Sequence, residues 1–344
     1  MATMDVFKAD AFSMMELSST VENMDYNPQM LGSMNLFAPK PVRQKTVFID
    51  RKEDTLSLIG FSERGSAPQQ NERYDRNTLP LTIPRLAIQD TVWASEVSGL
   101  REFGTESELM TVQREVADRL AKMRQKVEYT EEYLRLAAIQ GLALDPADGS
   151  TYYNYYTEFN VTQDTATDFG LTTDTTDVGG ICRNLVRSIM RDAKGAWVMG
   201  QSEVHALVGD TFFDNLVKHP NVVDKWNNWT AAAELRNIDP FTMFTFGGIT
   251  FHNYRGSDDN SEIAIGVNEA KFFIVGGDGI FVKAMAPADE FMPYVNTPGQ
   301  SVYAVQELDA AFRDTPRFAK YHVHAYPLYY CQKPNTLRRG VGNT

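Results

Sequence analysis

SELMTVQREVADRLAKMRQKVEYTEEYLRLAAIQGL, residues 107–142, contains no proline, and no glycine before Gly141. Its apolar residues recur at Leu109, Val112, Val116, Leu120, Met123, Val127, Leu134 and Ala138. That spacing of three to four draws one stripe down a helix. Arg114, Asp118, Lys122, Gln125 and Glu132 fill the other faces. Thr105-Glu106-Ser107-Glu108 supplies an N-cap and an acidic first turn, and Gly141 with Asp145-Pro146 supplies the stop. At 1.5 Å per residue such a helix runs about 50 Å, far beyond the usual three or four turns. Its natural role is a structural strut. A coiled coil is the rival reading, but the stripe breaks near Thr130 and the flanks lack regular charge pairing.

Ahead of the strut, residues 43–104 carry short strand-like runs. Thr46-Val47-Phe48-Ile49 and Leu56-Ser57-Leu58-Ile59 flank a charged turn, Asp50-Arg51-Lys52-Glu53-Asp54. A polar stretch, residues 64–71, follows, and then Leu79, Leu81, Ile83 and Leu86 return as an extended run. The sum is a long β-hairpin with too little apolar surface for a core of its own, so it must lean on another body, its own or a neighbour's. Earlier still, residues 1–42 hold Met1, Met4, Met14, Met15, Met24, Met30 and Met34, half of the chain's 14 methionines, with Phe7, Phe12, Leu17, Leu31, Leu36 and Phe37. Flexible thioethers suit irregular contact surfaces. The segment reads as an arm that docks on neighbouring subunits, with an ordinary disordered tail as the alternative.

Behind the strut the pattern is mixed α/β. Tyr152 to Tyr156 is β-like, and a Thr/Asp-rich loop occupies 162–177. A helix is expected over 178–194, a short buried strand at Ala196-Trp197-Val198-Met199, and a second helix over 201–218 with Val204, Leu207, Val208 and Phe212 on one face. Phe241 to Tyr254 reads as a hairpin turning at Gly247-Gly248. Ile263-Ala264-Ile265, Phe272 to Val275 and Ile280-Phe281-Val282 are further strands, and Arg317 to Tyr330 is a long extended run.

Composition sets bounds without pointing to a reaction. The chain has 344 residues, 43% apolar and 23% charged, enough for two or three packed units. No membrane-length apolar stretch and no secretory pattern occur, so a cytosolic site of synthesis is expected. Cys182 and Cys331 are too few for a disulfide framework or a structural zinc site and read as incidental thiols. The net charge of −12, from 33 basic and 45 acidic residues, argues against a general nucleic-acid binder. A DNA container with a non-adhesive inner wall is compatible with that charge, but so are many enzymes.

The catalytic grammars are missing. There is no phosphate-cradling glycine loop and no dinucleotide fingerprint, and Gly200-Gln201-Ser202-Glu203-Val204 lacks the second glycine of a nucleophile elbow. His322-Val323-His324 sets two imidazoles on one strand face, but nothing at ligand spacing completes a metal site, and a structural or interface strand is the better reading. Asp145 to Ser150 reads as a helix-ending turn and not a calcium loop. Asp164, Asp168, Asp174 and Asp177 read as a solvated loop. No catalytic, cofactor or metal site is expected.

The order of elements resembles the subunit of tailed-phage capsids, shared by encapsulins and herpesvirus shell floors. Most closely it resembles the lambda-type major capsid protein family, capsid protein E. The opening (Leu36-Phe37, Val47-Phe48-Ile49, Arg64-Gly65), the return into the helix (Pro84-Arg85-Leu86 to Gly104) and the stretch Ile263 to Asp289 with Gly266-Val267-Asn268-Glu269-Ala270 carry the likeness. So do Asp314-Thr315-Pro316-Arg317, Tyr326-Pro327-Leu328 and Lys333-Pro334-Asn335 near the end.

The resemblance implies an α+β capsid (Johnson) fold. Its parts are an N-terminal arm (1–42), an extended loop (43–104), a peripheral domain with a spine helix (105–160), an axial domain (161–305), and a return strand and tail (306–344). It also implies pentamers and hexamers of an icosahedral virion shell around double-stranded DNA that is bound without sequence preference. A scaffolding protein, a portal and a decoration protein are the implied partners; no membrane is, and assembly would take place in the host bacterial cytoplasm. The alternatives are an encapsulin-like compartment and, in another class, a cytosolic α/β enzyme with an unrecognised site. Arg51, Arg64, Arg73, Arg76, Arg85 and Phe37 are the candidate contacts between subunits, since arginine forks suit interface carboxylates. Deleting residues 62–76 is expected to leave the axial domain folded and to stop shell formation, as read by circular dichroism and negative-stain microscopy; normal shells would refute the loop's role.

Overall fold

The computed structural model describes residues 30–52, 76–93, 95–96, 108–236, 243–254, 264–308 and 317–343. Its first element, α1 (Met30–Ser33), is a single turn that buries Leu31. The chain then runs as β1 (Ala38–Pro41) parallel to residues 282–285. Just beyond, the Val42 amide donates to the Met285 carbonyl at 2.8 Å and the Gly299 amide to the Val42 carbonyl at 2.9 Å. Residues 30–42 are therefore a strap fastened to their own subunit. The rest of the expected arm, residues 1–29, lies outside the described residues.

The hairpin's two strands, β2 (Thr46–Lys52) and β3 (Arg76–Thr82), pair antiparallel from Thr46 opposite Thr82 to Lys52 opposite Arg76. The expected turn at Asp50-Asp54 begins too early: Asp50, Arg51 and Lys52 continue the ladder, because cross-strand pairing satisfies the backbone whatever the side-chain charge. Leu56 to Ile59 and residues 64–71 lie outside the described residues. Period-two alternation turns Val47, Ile49 and Leu81 inward, and with Ile83 they pack against Tyr155, Tyr303 and Tyr330, while Phe48 points out at 54% exposure. The hairpin's foot thus leans on its own body. The return continues as β4 (Leu86–Trp93).

The strut forms as α2 (Glu108–Ile139). Val116, Leu120, Met123 and Val127 bury against Val92, Val302, Tyr321 and Val323, and further along Leu136 and Ile139 enter the largest core. Each such side chain stabilises the fold by about 1.5–3 kcal/mol. Arg119–Glu115 (2.8 Å) and Arg124–Glu128 (2.6 Å) brace the flanks one turn apart. The helix stops at Gly141, whose φ of +80° disfavours any residue with a Cβ; a methyl there would also run into the Tyr156 ring. A small hairpin, β5 (Leu142–Leu144) and β6 (Thr151–Asn154), follows, then α3 (Tyr155–Glu158). Between these strands the Asp145 and Asp148 carboxylates each accept a bond from the turn's own backbone, Ala147 N–H and Ser150 N–H, both at 2.9 Å.

The next body comprises β7 (Thr167–Asp168), α4 (Val178–Ala193), β8 (Glu203–Val208), α5 (Asp210–Lys218), α6 (Pro220–Arg236), β9 (Met243–Phe246), β10 (Ile249–Asn253) and β11 (Glu269–Val275). After it come β12 (Phe281–Met285), β13 (Tyr303–Leu308), β14 (Phe318–Ala325), β15 (Pro327–Cys331) and β16 (Arg338–Val341). Among the described residues a six-stranded mixed sheet has the order β7-β16-β11-β8-β10-β9; two three-stranded sheets have the orders β1-β12-β15 and β13-β14-β4. The last strand closes on the first large body: β16 lies between β7 and β11, although residues 338–341 were expected in a terminal tail. The Arg338 guanidinium pins it there, bonding Asp192 and, at 2.9 Å, Asp164.

Three local expectations are corrected. Residues 201–218 are a strand followed by a helix. Strand β8 sits in the middle of the sheet, covered on both faces, so its apolar residues run on without alternating and mimic a helical face. Gly209, where a Cβ would strike the backbone at Gly266 and Val267, marks the change. Ala196 to Met199 is no strand: it begins in a 3₁₀ turn, and Met199 is 87% exposed. Ala264 and Ile265 approach a turn and lie outside any strand, while Ile263 is outside the described residues. Helix α6 was not anticipated, although Pro220 at its first position and Val222, Val223, Trp226 and Trp229 at helical spacing signal it. Among the described residues no helix is long and apolar enough to cross a membrane.

Candidate assembly surface

A buried polar cluster ties the strap, the strut and strands β12 and β15 into one piece. Adjacent glutamates on α2 point to opposite tasks because neighbours on a helix stand about 100° apart. Glu131 (4% exposed) accepts from the Lys283 ammonium of β12 at 2.8 and 3.0 Å, from Arg135 at 3.0 Å and from the Tyr329 hydroxyl of β15 at 2.8 Å. Glu132 (1% exposed) accepts from the backbone amides of Leu31 at 2.7 Å and Gly32 at 3.1 Å, and from Arg135 at 3.1 Å. Two carboxylates face two cations, so the cluster is neutral as a unit. Burial, and then the Glu131 charge, push the Tyr329 phenol well up. The Lys283 and Arg135 charges stand 5.4 and 5.2 Å from the Tyr329 ring centre. Phe37 of the strap meets that ring edge-on at 5.0 Å and Phe281 at 5.2 Å.

The sequence-derived contact residues are distributed unevenly. Arg51 and Arg76 lie near the outer end of the described ladder, Arg76 opposite Lys52 and Arg51 opposite Asn77. Arg64 and Arg73 lie outside the described residues. Arg85, between β3 and β4, serves its own subunit: it stands 3.4 Å from Glu290 and 3.3 Å from the His324 Nδ1. Phe37 is half-buried under the same subunit's aromatic rings. The structure therefore brings Arg51 and Arg76 together on paired strands and separates them from Phe37 and Arg85.

His322 and His324 share a strand face as expected, their rings 5.8 Å apart. His322 pairs across the strand with Glu307 at 3.2 Å, and His324 is buried between Arg85, Phe291 and Tyr326. Burial first, then Arg85 and His322, push His324 down to about 4. A second pair escaped sequence reading because its members are 47 residues apart: His205 Nδ1 on β8 lies 2.9 Å from His252 Nε2 on β10. Burial, and then the His205 ring, push His252 down to about 4; burial lowers His205 as well, against the pull of Glu203. Among the described residues no three His, Cys, Asp or Glu side chains converge to hold a metal.

This architecture, a long spine helix flanked by a hairpin, a strap and a mixed sheet, is the fold of a tailed-phage capsid subunit. It is similar to the subunit in the mature capsid of bacteriophage PhiM1 (TM-score 0.53, 12% identity, covering 93% of this chain and 88% of that one). The capsid of cyanophage P-SCSP1u is similar to the same degree (TM-score 0.53, 9% identity, 93% and 91% covered). The chain belongs to the phage major capsid protein E family, whose profile matches residues 13–341. It is 26% identical over 357 residues to the major capsid protein of Salmonella phage Felix O1 (isolate Felix O1-VT1), covering 95% of each chain. To the major capsid protein of Pseudomonas phage KPP10 it is 25% identical over 319 residues, covering 86% of this chain and 88% of that one. It is a structural protein of the virion, working as many copies of itself, and not an enzyme.

Two outcomes follow from this geometry. Glu132→Ala leaves the buried Leu31 amide and the half-buried Gly32 amide without their acceptor, removes one of the two carboxylates of Arg135, and is expected to cost about 2–4 kcal/mol. Urea unfolding of the unassembled subunit reads the loss, and faster proteolysis near residues 30–37 reads release of the strap. His252 and His324 have folded-state values of about 4, below the unfolded value near 6.5, so the stability they permit is complete above about pH 6.5 and is lost as pH falls toward 4. At 1.36 kcal/mol per unit this amounts to as much as about 3 kcal/mol each for His252 and His324. The urea midpoint is therefore expected to drop between pH 7 and pH 4.5, with a shallower drop in His252→Asn and His324→Asn; equal slopes would refute the assignment.

Proposed function

We propose that the subunit builds the pentamers and hexamers of an icosahedral shell around double-stranded DNA, with its extended hairpin laid across a neighbouring subunit. Membership of the capsid protein E family carries this reading. Its physical support is the way the hairpin is divided. The foot is buried in its own subunit, and the ladder runs outward from there to Lys52 and Arg76. Heterologous contacts of this kind, repeated around an axis, close into rings. Arg51, Arg64, Arg73 and Arg76 are the cations proposed to meet a neighbour's carboxylates.

The acidic balance of −12 is compatible with a non-adhesive inner wall along which the packaged polyanion slides, and carries none of the weight of this reading. A scaffolding protein, a portal and a decoration protein complete the proposed assembly, which takes place in the cytoplasm of the host bacterium. A genome is favoured over an enzyme cargo because the matched relatives are phage major capsid proteins. Expression with the neighbouring head genes, followed by size-exclusion and negative-stain microscopy, tests the reading. Closed megadalton shells are expected; discrete small oligomers under all conditions would overturn it.

A further inference from the structure

A trough runs beside the spine helix and is not used by anything described so far. Three concave stretches join end to end: Ile88, Lys126 and Thr130 belong to the first two, and Arg85, Leu86, Asp145 and Pro146 to the second and third. From Arg119 to Leu134 the trough follows about 22 Å of α2. Its floor is apolar, with Leu86 and Ile88 only half-buried above Met123 and Val127. Its rim is basic. Arg85 and Arg119 already have carboxylate partners, but Lys122 and Lys126 are exposed, one turn apart, and form no ion pair among the described residues.

The sequence holds a segment of the complementary chemistry. Residues 1–29 carry Asp5, Asp10, Glu16, Glu22 and Asp25 against the lone Lys8, interleaved with Val6, Phe7, Phe12, Met14, Met15 and Leu17. Thioether and aromatic side chains adapt to a shallow apolar floor while carboxylates answer a lysine rim. The strap fixes where this segment starts. Leu31 and Gly32 are held by Glu132, six residues on from Lys126 and therefore about 120° round the helix from the trough. A 29-residue chain can reach about 100 Å from that point, far enough to reach another subunit.

We propose that the acidic, methionine-rich segment 1–29 of one subunit lies in the trough between the spine helix and β4 of a neighbouring copy, its carboxylates on Lys122 and Lys126. This inference rests on the shell reading. The test is a cysteine series in the full-length chain: Ala9→Cys, Ser13→Cys or Leu17→Cys, each combined with Gln125→Cys in the trough lining, oxidised gently after assembly. The native Cys182 and Cys331 are both buried and do not compete. At least one register is expected to give a disulfide ladder of dimers, trimers and higher species on a non-reducing gel, absent from the single-cysteine controls. A fast-migrating looped monomer would overturn the assignment by placing the arm on its own subunit, and shells without any cross-link above control would overturn it altogether. As an independent readout, trypsin cleavage after Lys8 in shells is expected to accelerate at least tenfold in Lys122→Glu/Lys126→Glu, and an unchanged rate would also overturn it. Microscopy of the wild-type particles separates the two readings: shells without a ladder refute only the arm's position, whereas absence of shells removes the premise of both.

Discussion

Two adjacent carboxylates in the C-terminal third of the spine helix hold the subunit together. Glu131 and Glu132 are both almost fully buried, and a buried charge is tolerable only when its lone pairs are filled and its charge is matched. Filling them required groups from four separated parts of the chain: the amides of the strap, Arg135 of the same helix, Lys283 of β12 and Tyr329 of β15. Hydrophobic packing alone would permit several rotations of a 32-residue helix against its neighbours. The carboxylates permit one, because rotating either away leaves unpaired charge in a low-dielectric interior.

That fixed helix explains how a subunit can be rigid at its centre and extended at its edges. The strap, hairpin foot and return strand are each anchored by buried residues of their own: Leu31, then Val47 with Leu81, then Val92. Residues buried within the subunit, from the strap to the hairpin foot, are thereby set apart from the outer rungs of the hairpin ladder. The same division separates Phe37 and Arg85, used inside the subunit, from Arg51 and Arg76 farther out on the hairpin.

Much of this was legible in the residues. The helix 107–142 has a long, clean period and clear stops, so its existence did not depend on context. The hairpin of β9 and β10 followed from the Gly247-Gly248 turn, whereas β2 and β3 were legible as β-rich runs although the turn between them was placed too early. The misread region, 201–218, is where context rules: a strand buried on both faces loses the period that would identify it. The His205–His252 contact and the Glu131–Lys283 bond join residues 47 and 152 positions apart, and no local pattern announces such a meeting.

By itself the sequence determined the class of element at each strongly periodic stretch, the order of those elements, and the absence of any familiar catalytic motif. These depend on neighbours three or four residues away, where covalent geometry and helix or strand period act directly. Only the tertiary structure decided that residues 30–42 are a strap and not a free arm, that the chain's last strand returns into the first large sheet, and which arginines are already spent. Each of those outcomes is settled by which distant groups share a desolvated space, and that is a property of the packed chain and not of any segment of it.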